Sequence, residues 1–372
     1  MFDLAIIGAG INGCSVAYEF SLLDKKVVIF DMDKIAGGGS GAAGAFLAPK
    51  FSKTGELKEM LHEAFDYSME FYENNFSNFF TKTQLLHLAK DEESSKLLKL
   101  NQNNLSFNFK KVDKVFFNSL TPYAKKYEHI CMNAGVVNAQ KMCQALCQNA
   151  KYIKHEVKNI SHEDGVWNID DLYRSKNILL ATGAYKSLLD EEYLKLSGVW
   201  GHRIDVKTTT KNPYSIHQDV SISPSVDGVL AIGATHDVHY HPQFSKEIYD
   251  VQKGRDELLQ KASKSINLEN IEILKDYTGL RSGSYDYMPH VGGVVKSHET
   301  LQCCEHLAKT KKVDYEKFIY YPNLYMINGN GGYGFVLAPY LAKILIKHIL
   351  LGEKVKRSMN PARFFARWVR RL

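Results

Sequence analysis

The chain has 372 residues, 45% hydrophobic, 24% charged and 12% aromatic, with 26 Gly and 9 Pro. At roughly 150 residues per domain this describes a globular protein of two to three domains, and it excludes disordered, collagen-like and small disulfide-stapled chains. Lys+Arg 47 against Asp+Glu 41 leaves +6, too small an excess to demand nucleic acid, and the six cysteines (Cys14, Cys131, Cys143, Cys147, Cys303, Cys304) show no CxxC or Cys/His ligand spacing, so no metal is expected.

The N-terminus enters a predicted strand at once, without a basic leader, and a reducing cytoplasm is the expected setting. Leu4 to Ile7 form an apolar run, followed by Gly8-Ala9-Gly10-Ile11-Asn12-Gly13 and then helical periodicity from Cys14 to Phe20. A second apolar run, Val27 to Phe30, ends in Asp31. A bare GxGxxG is weak, but between strand and helix, with an acid about 20 positions on, it reads as a dinucleotide site. Gly8 permits the tight turn, Gly10 the approach of backbone to a pyrophosphate and Gly13 close helix packing, while Ile11 and Asn12 open a helix whose N–H groups face the phosphates. Asp31 is the expected acceptor for the ribose hydroxyls. This motif leaves NAD and FAD both open. The small residues that follow, Ala36 to Ala45 with Ser40, Gly41, Ala42 and Gly44, let backbone lie flat against a planar ligand, although a flexible surface loop has the same composition.

Further along, Phe65 to Phe80 reads as an aromatic-rich core helix, and Gly135 to Asn138 opens a helix to Asn149 before a strand from Ile153 to Val157. Ile178 to Ala181 is a buried-strand pattern ending in Thr182-Gly183, whose backbone N–H groups face a ligand at a strand's carboxyl end. His202, His217, His236, His239 and His241 cluster irregularly; most are expected to be structural, with His202 or His236 the candidate base. Lys309 to Lys312 reads as a solvated loop. Gly329, Gly331, Gly332 and Gly334 surround Tyr333 ahead of Val336 to Leu351, placing a helix N-terminus at a ring carbonyl. Lys343, Lys347 and His348 make that apolar stretch a core helix rather than a membrane span. From Glu353 onward there are seven basic residues and one acid. With Asn360 and Pro361 at its start, a helix is predicted to carry Arg363, Arg367, Arg370 and Arg371 on one face as a comb for phosphates, and Phe364, Phe365, Trp368 and Leu372 on the other. A docked helix with a solvated basic face and a membrane-surface helix are the competing readings.

Taken together, four ordered stretches resemble the FAD-dependent D-amino acid oxidase superfamily, which includes glycine oxidase and sarcosine oxidase: the GxGxxG unit, Asn177 to Ala184 with Ala181-Thr182-Gly183, Gly279-Leu280-Arg281 with Asp286, Pro289 and Gly292, and Asn328 to Phe335. The resemblance implies noncovalent FAD, with the Val157 backbone at the adenine, and an α/β fold. A Rossmann-like FAD-binding domain of the glutathione-reductase type is expected from residues 1–50, 135–190 and 320–352. An inserted α+β substrate domain on a mixed or antiparallel sheet is expected from 51–134 and 191–319, with a basic helix over 353–372.

Within the superfamily, Ala36 to Gly44 with Pro49-Lys50-Phe51-Ser52, and Asn360-Pro361-Ala362-Arg363-Phe364-Phe365-Ala366-Arg367, are similar to the FAD domain of the MnmC tRNA-modification enzymes. Ala42 stands where that family has Asn, and Gly332-Tyr333-Gly334-Phe335 where it has S-R-G-L. This likeness implies oxidation of carboxymethylaminomethyl uridine to aminomethyl uridine at the wobble position, with the tRNA anticodon loop as partner and no methyltransferase domain in this chain. An oxidase of free glycine, sarcosine or a D-amino acid, and a non-enzymatic RNA-binding flavoprotein, are the alternatives. In either enzyme Arg281 is the candidate for gripping the substrate carboxylate, unless it pairs with Asp286, and Tyr333 adds a hydroxyl or covers the ring.

Overall fold

The computed structural model describes residues 1–49, 51, 55–102, 108–185, 187–303 and 313–371; Lys50, Ser52, Cys304, Lys309 to Lys312 and Leu372 lie outside them. A first sheet runs in the order His290–Val295, Tyr320–Asn328, Tyr173–Leu180, Phe2–Ile7, Val27–Asp31, Lys151–Lys154. The last five are mutually parallel and His290–Val295 pairs antiparallel at the edge. Leu4, Ala5, Ile6 and Val28 to Phe30 are almost wholly buried, the unbroken apolar pattern of a parallel sheet covered on both faces. Helices Ile11–Ser21, Ala139–Leu146 and Gly334–Leu351 cover one face, and Tyr193, Phe318 and Phe365 pack on the other.

A second, mixed sheet faces it, in the order Glu272–Gly283, Ser197–Lys207, Val229–Gly233, Ser221–Ile222, Ser215–His217, Phe80–Leu88, His129–Val137, Phe46–Leu47. Its back is closed by the helix Val251–Ser263 through Leu258 and Ala262. This is the Rossmann-like FAD-binding fold with a mixed-sheet covering layer. Five local expectations shift. The strand after Ala139–Leu146 is Lys151–Lys154, so Val157 follows it; Gly135 to Val137 complete a strand, and the Asn138 carboxamide caps the helix by accepting from the Lys141 amide (3.2 Å). The aromatic helix is Glu56–Phe76, and Phe80 begins a strand. Phe46–Leu47 pairs in the second sheet rather than the first. His290–Val295 pairs in the first, because all six of its residues are buried and only that sheet offers apolar cover on both sides.

Gly334–Leu351 is long and apolar enough in composition to cross a membrane, but Phe335 to Pro339, Leu341, Ala342, Leu345 and Ile346 are buried against Ile11–Ser21 and Glu56–Phe76. Pro339 lies inside it, which removes the bond that the Phe335 carbonyl would accept. The Tyr72 hydroxyl, fully buried, donates to that carbonyl at 3.0 Å, and Ser68 Oγ donates to the next one, Val336 O, at 2.7 Å. Tyr72→Phe leaves the Phe335 carbonyl buried and unmet, and is expected to lower stability by about 1–3 kcal/mol in urea unfolding.

Candidate functional site

The carboxyl ends of Phe2–Ile7, Val27–Asp31, Tyr173–Leu180 and Tyr320–Asn328 open onto one cavity of about 1140 Å3, whose opposite wall is the front of the second sheet. Parallel sheets bind ligands at such a place. Gly8 turns the chain there with φ +110°, and a Cβ would lie 2.3 Å from the Ala181 carbonyl oxygen, so only glycine fits. The Ala9 amide donates to Asp31 Oδ2 (2.8 Å) and the Ile11 amide to Ser40 Oγ (2.9 Å), which joins the first turn to the small-residue segment. Accepting here, the Ser40 hydroxyl keeps its own proton for a ligand oxygen.

Three asparagines knit the glycine loops together. Asn330 Nδ2 donates to Asn12 Oδ1 (2.6 Å), Asn12 Nδ2 to the Ile327 carbonyl (3.4 Å) and the Gly183 amide to Asn328 Oδ1 (3.0 Å). Asn328 Nδ2 and Asn330 Oδ1 are buried at the cavity without a protein partner. Buried polar atoms are nearly always satisfied, so these two call for a partner that the described residues do not supply. A turn that only glycine permits, a carboxylate at the end of the second strand, and orphaned amide atoms under the final loop are a donor and acceptor set that suits a dinucleotide such as FAD.

All of the sequence-predicted cofactor residues line this cavity except Gly13, Gly41 and Gly329. Those three serve the scaffold: a Cβ on Gly13 would meet the Gly8 carbonyl oxygen at 2.1 Å, one on Gly41 the Ala36 carbonyl oxygen at 2.0 Å, and one on Gly329 the His290 ring at 3.2 Å. Ala42 lies against Gly279, whose added Cβ would come within 2.9 Å of the alanine methyl, so small residues on both sides let the 39–45 segment sit flush on the Arg281 strand.

Arg281 stands on the sheet wall of the cavity. Its Nη2 donates to the Thr235 carbonyl (2.5 Å), its Nε is buried without a protein partner, and burial pulls the guanidinium pKa down. The alternative pairing with Asp286 does not form. Asp286 instead accepts from Arg363 Nε and Nη2 (3.0 Å each) and from Arg367 Nη1 (2.8 Å). Tyr333 also lines the cavity, and burial raises its pKa, which keeps the phenol protonated.

The arginine comb does not stand as predicted. Arg363 is 5% exposed and locked to Asp286 and the Met288 carbonyl, and Arg367 turns the same way one turn on. The helix is Ala362–Val369; the Asn360 carboxamide accepts from the Ala362 amide (2.9 Å) and Phe365 is fully buried. Phe364, on the apolar face, stacks on His290 with ring centroids 4.8 Å apart, while Arg363 and Arg367 turn the predicted phosphate face onto Asp286, so both faces dock. Arg370 and Arg371 alone of the four remain exposed without a carboxylate among the described residues.

Neither candidate base reaches the cavity lining. His202 is fully buried with Nε2 on Asp276 Oδ1 (2.9 Å), and Arg255 donates to both oxygens of that carboxylate, Nε to Oδ1 and Nη2 to Oδ2. His236 lies outside the lining as well. His217 does line the cavity, against the structural role expected of it, and His87 joins it there. His87 carries no motif, since cross-strand neighbours are fixed by register rather than spacing. Arg203 was equally invisible: its Nη1 donates to the Ala43 carbonyl (2.9 Å) while the guanidinium lies over Tyr277 at 3.8 Å, pinning the small-residue segment.

A two-layer fold with a dinucleotide cradle under one sheet and an arginine on the facing sheet defines a flavin-type oxidoreductase. Residues 3–348 match the model of the DAO family, FAD dependent oxidoreductase, and the chain belongs to that family. It is similar to the tRNA 5-methylaminomethyl-2-thiouridine biosynthesis bifunctional protein MnmC of Campylobacter fetus subsp. fetus, 23% identical over 99% of this chain and 60% of that protein. The protein of the same description from Leptospira interrogans is 25% identical over 99% of this chain and 61% of its own length. The chain thus spans about three fifths of these curated relatives. Glycine oxidase from Bacillus cereus shares the fold with a TM-score of 0.74 at 19% identity, covering 95% of this chain and 96% of that one. L-proline dehydrogenase from P. horikoshii does so with 0.74 at 17%, covering 98% and 97%.

Proposed function

We propose that this FAD-dependent oxidoreductase acts on the carboxymethylaminomethyl side chain of a tRNA wobble uridine and cuts its C–N bond to leave an aminomethyl group. The observation that carries this reading is the extent of the cavity beyond Arg281. Four strand steps separate the Arg281 strand from Ser215–His217, which also lines the cavity, about 19 Å along the sheet at ~4.8 Å per step. A free amino acid occupies a small part of that length, whereas a carboxylate carried on a nucleoside extends along it.

When bound, FAD supplies a two-electron acceptor for the hydride of the glycine methylene. Arg281 offers its unpartnered Nε edge to the substrate carboxylate while the Thr235 carbonyl fixes Nη2, so the grip is set before substrate arrives. Held there, the methylene C–H is presented to one position only. Tyr333 keeps its phenol proton at neutral pH and closes the cavity from the glycine-loop side. Loss of hydride and the amine proton leaves an imine on the substrate, and water splits it into glyoxylate and the primary amine. MnmC relatives named for 5-methylaminomethyl-2-thiouridine biosynthesis support the assignment.

The test is anaerobic incubation of the FAD-loaded chain with tRNA bearing carboxymethylaminomethyl uridine, followed by nucleoside mass spectrometry. Stoichiometric conversion to aminomethyl uridine is expected. An unchanged nucleoside, with rapid flavin reduction by free glycine or sarcosine, would overturn the reading in favour of an amino acid oxidase.

A further inference from the structure

Four strands along the second sheet from Arg281, the cavity has a polar lining that neither the dinucleotide cradle nor the carboxylate grip uses. Ser215–His217 runs parallel to Phe80–Leu88, with His217 opposite His87 and Ser215 opposite Leu85. Ser215, Ile216 and His217 all border the cavity, and strand alternation puts the Ser215 and His217 side chains on the face opposite that of Ile216, which packs into the core. The two imidazoles meet edge to face with centroids 4.9 Å apart, and Phe51 closes on His87 at 5.1 Å. His217 Nδ1 is 2.8 Å from Ser221 Oγ, which fixes that ring. The Ser215 hydroxyl, 1% exposed, has no protein partner.

Burial pushes both imidazole pKa values down, and at His217 Lys90 adds to this while Asp219 opposes it. Two neutral imidazoles make a poor anion site, and Asp219 lines the same part of the cavity, although Lys264 meets it at 3.2 Å. A phosphate therefore does not suit this place. A neutral imidazole offers one donor and one acceptor, and a serine hydroxyl can serve as either. The 2,4-dione edge of a pyrimidine, an N–H between two carbonyls, has the complementary pattern, and its ring face matches the aromatic surface of Phe51 and His87.

We propose that His87, His217 and Ser215 form a subsite for the polar edge of the pyrimidine that carries the reacting amine. The assignment rests on the nucleoside reading above and names the groups that distinguish such a substrate from glycine. Arg281 and this subsite hold opposite ends of one molecule, so that the scissile C–N bond lies between them.

The test is isothermal titration of the FAD-loaded full chain with two probes, 5-aminomethyluridine and N-acetylglycine. His87→Phe and His217→Phe keep an aromatic ring and remove its polar atoms. Each is expected to weaken 5-aminomethyluridine about 10-fold, the effect of one lost hydrogen bond, and to leave N-acetylglycine unchanged. Unchanged nucleoside affinity in both variants overturns the subsite while the tRNA reaction can still be observed in wild type. Parallel loss of both probes overturns it too, since the pair would then maintain the cavity rather than read a ring. A wild-type chain that binds no nucleoside yet converts the tRNA likewise places recognition elsewhere. Failure with both nucleoside and tRNA removes the subsite and the proposed function together.

Discussion

Replacing Arg363 with alanine is expected to destabilise the protein by about 1.5–3 kcal/mol, because it removes two of the three arginine bonds to Asp286 and the one to the buried Met288 carbonyl, while Arg367 still holds Asp286 Oδ2. Arg363 is 5% exposed and spends its guanidinium on both Asp286 oxygens and the Met288 carbonyl. Asp286 sits five residues past Arg281, and Ser284 Oγ donates to the Met288 carbonyl (2.6 Å) with Asp286 Oδ1 beside it at 3.2 Å. The C-terminal helix is thus clamped to the loop that leaves the Arg281 strand, and the damage should reach the cavity. Arg371→Ala, exposed on the same helix, is expected to change stability by less than about 0.5 kcal/mol. Urea unfolding of the FAD-loaded variants separates the two; equal, small effects would show that the clamp carries no stability.

The same pair gives the clamp an acid limit. Burial alone would push the Asp286 carboxyl up, but the hydrogen bonds and charges of Arg363 and Arg367 outweigh it and hold the pKa at about 2, below the usual 3.8. A depressed folded pKa means that the contribution is present in full above the unfolded value and is lost as pH falls from about 4 towards 2. The stability gap between wild type and Arg363→Ala should therefore narrow across that window.

This clamp also explains where sequence reading stopped. The tail drew attention as a basic comb because arginine spacing is visible in one dimension, and its acid partner, 77 positions earlier, is not. Deleting residues 360–372 to probe RNA affinity would remove Phe365 from the core together with Arg363. By contrast the lining of the cavity at the first sheet was legible almost in full: glycine turns, a strand-ending acid and helix starts are local patterns whose physics depends on near neighbours. The three predicted residues that miss the cavity, Gly13, Gly41 and Gly329, are glycines required for packing, and sequence cannot tell that need from closeness to a ligand. His87 and Arg203 went unseen for the reason that hid Asp286. Each acts across strand or layer contacts between segments far apart in the chain, His87 on His217 and Arg203 on Ala43.

Arg281→Met should lower kcat/KM for the amine substrate by roughly 30- to several-thousand-fold, the 2–5 kcal/mol that follows when one member of a buried, hydrogen-bonded charge pair is lost. Of the described wall, Arg281 supplies the buried cation whose Nε lacks a protein partner at the cavity, and methionine keeps most of its volume without the charge. The loss should fall on KM, since the carboxylate is gripped before and during hydride removal alike, with a further drop in kcat because an untethered methylene no longer points at the acceptor. Arg281→Lys should recover little. Lysine offers one compact charge, so it cannot bond the Thr235 carbonyl and present a planar fork to a carboxylate together. FAD content should stay at the wild-type level in both variants, because the residues expected to hold the cofactor, the glycine turns, Asp31 and Ser40, lie on the opposite layer. Stopped-flow reduction of the bound flavin over a range of substrate concentrations gives both parameters. A wild-type KM in Arg281→Met would move the carboxylate grip elsewhere on the sheet, and with it the direction in which the substrate lies along the cavity.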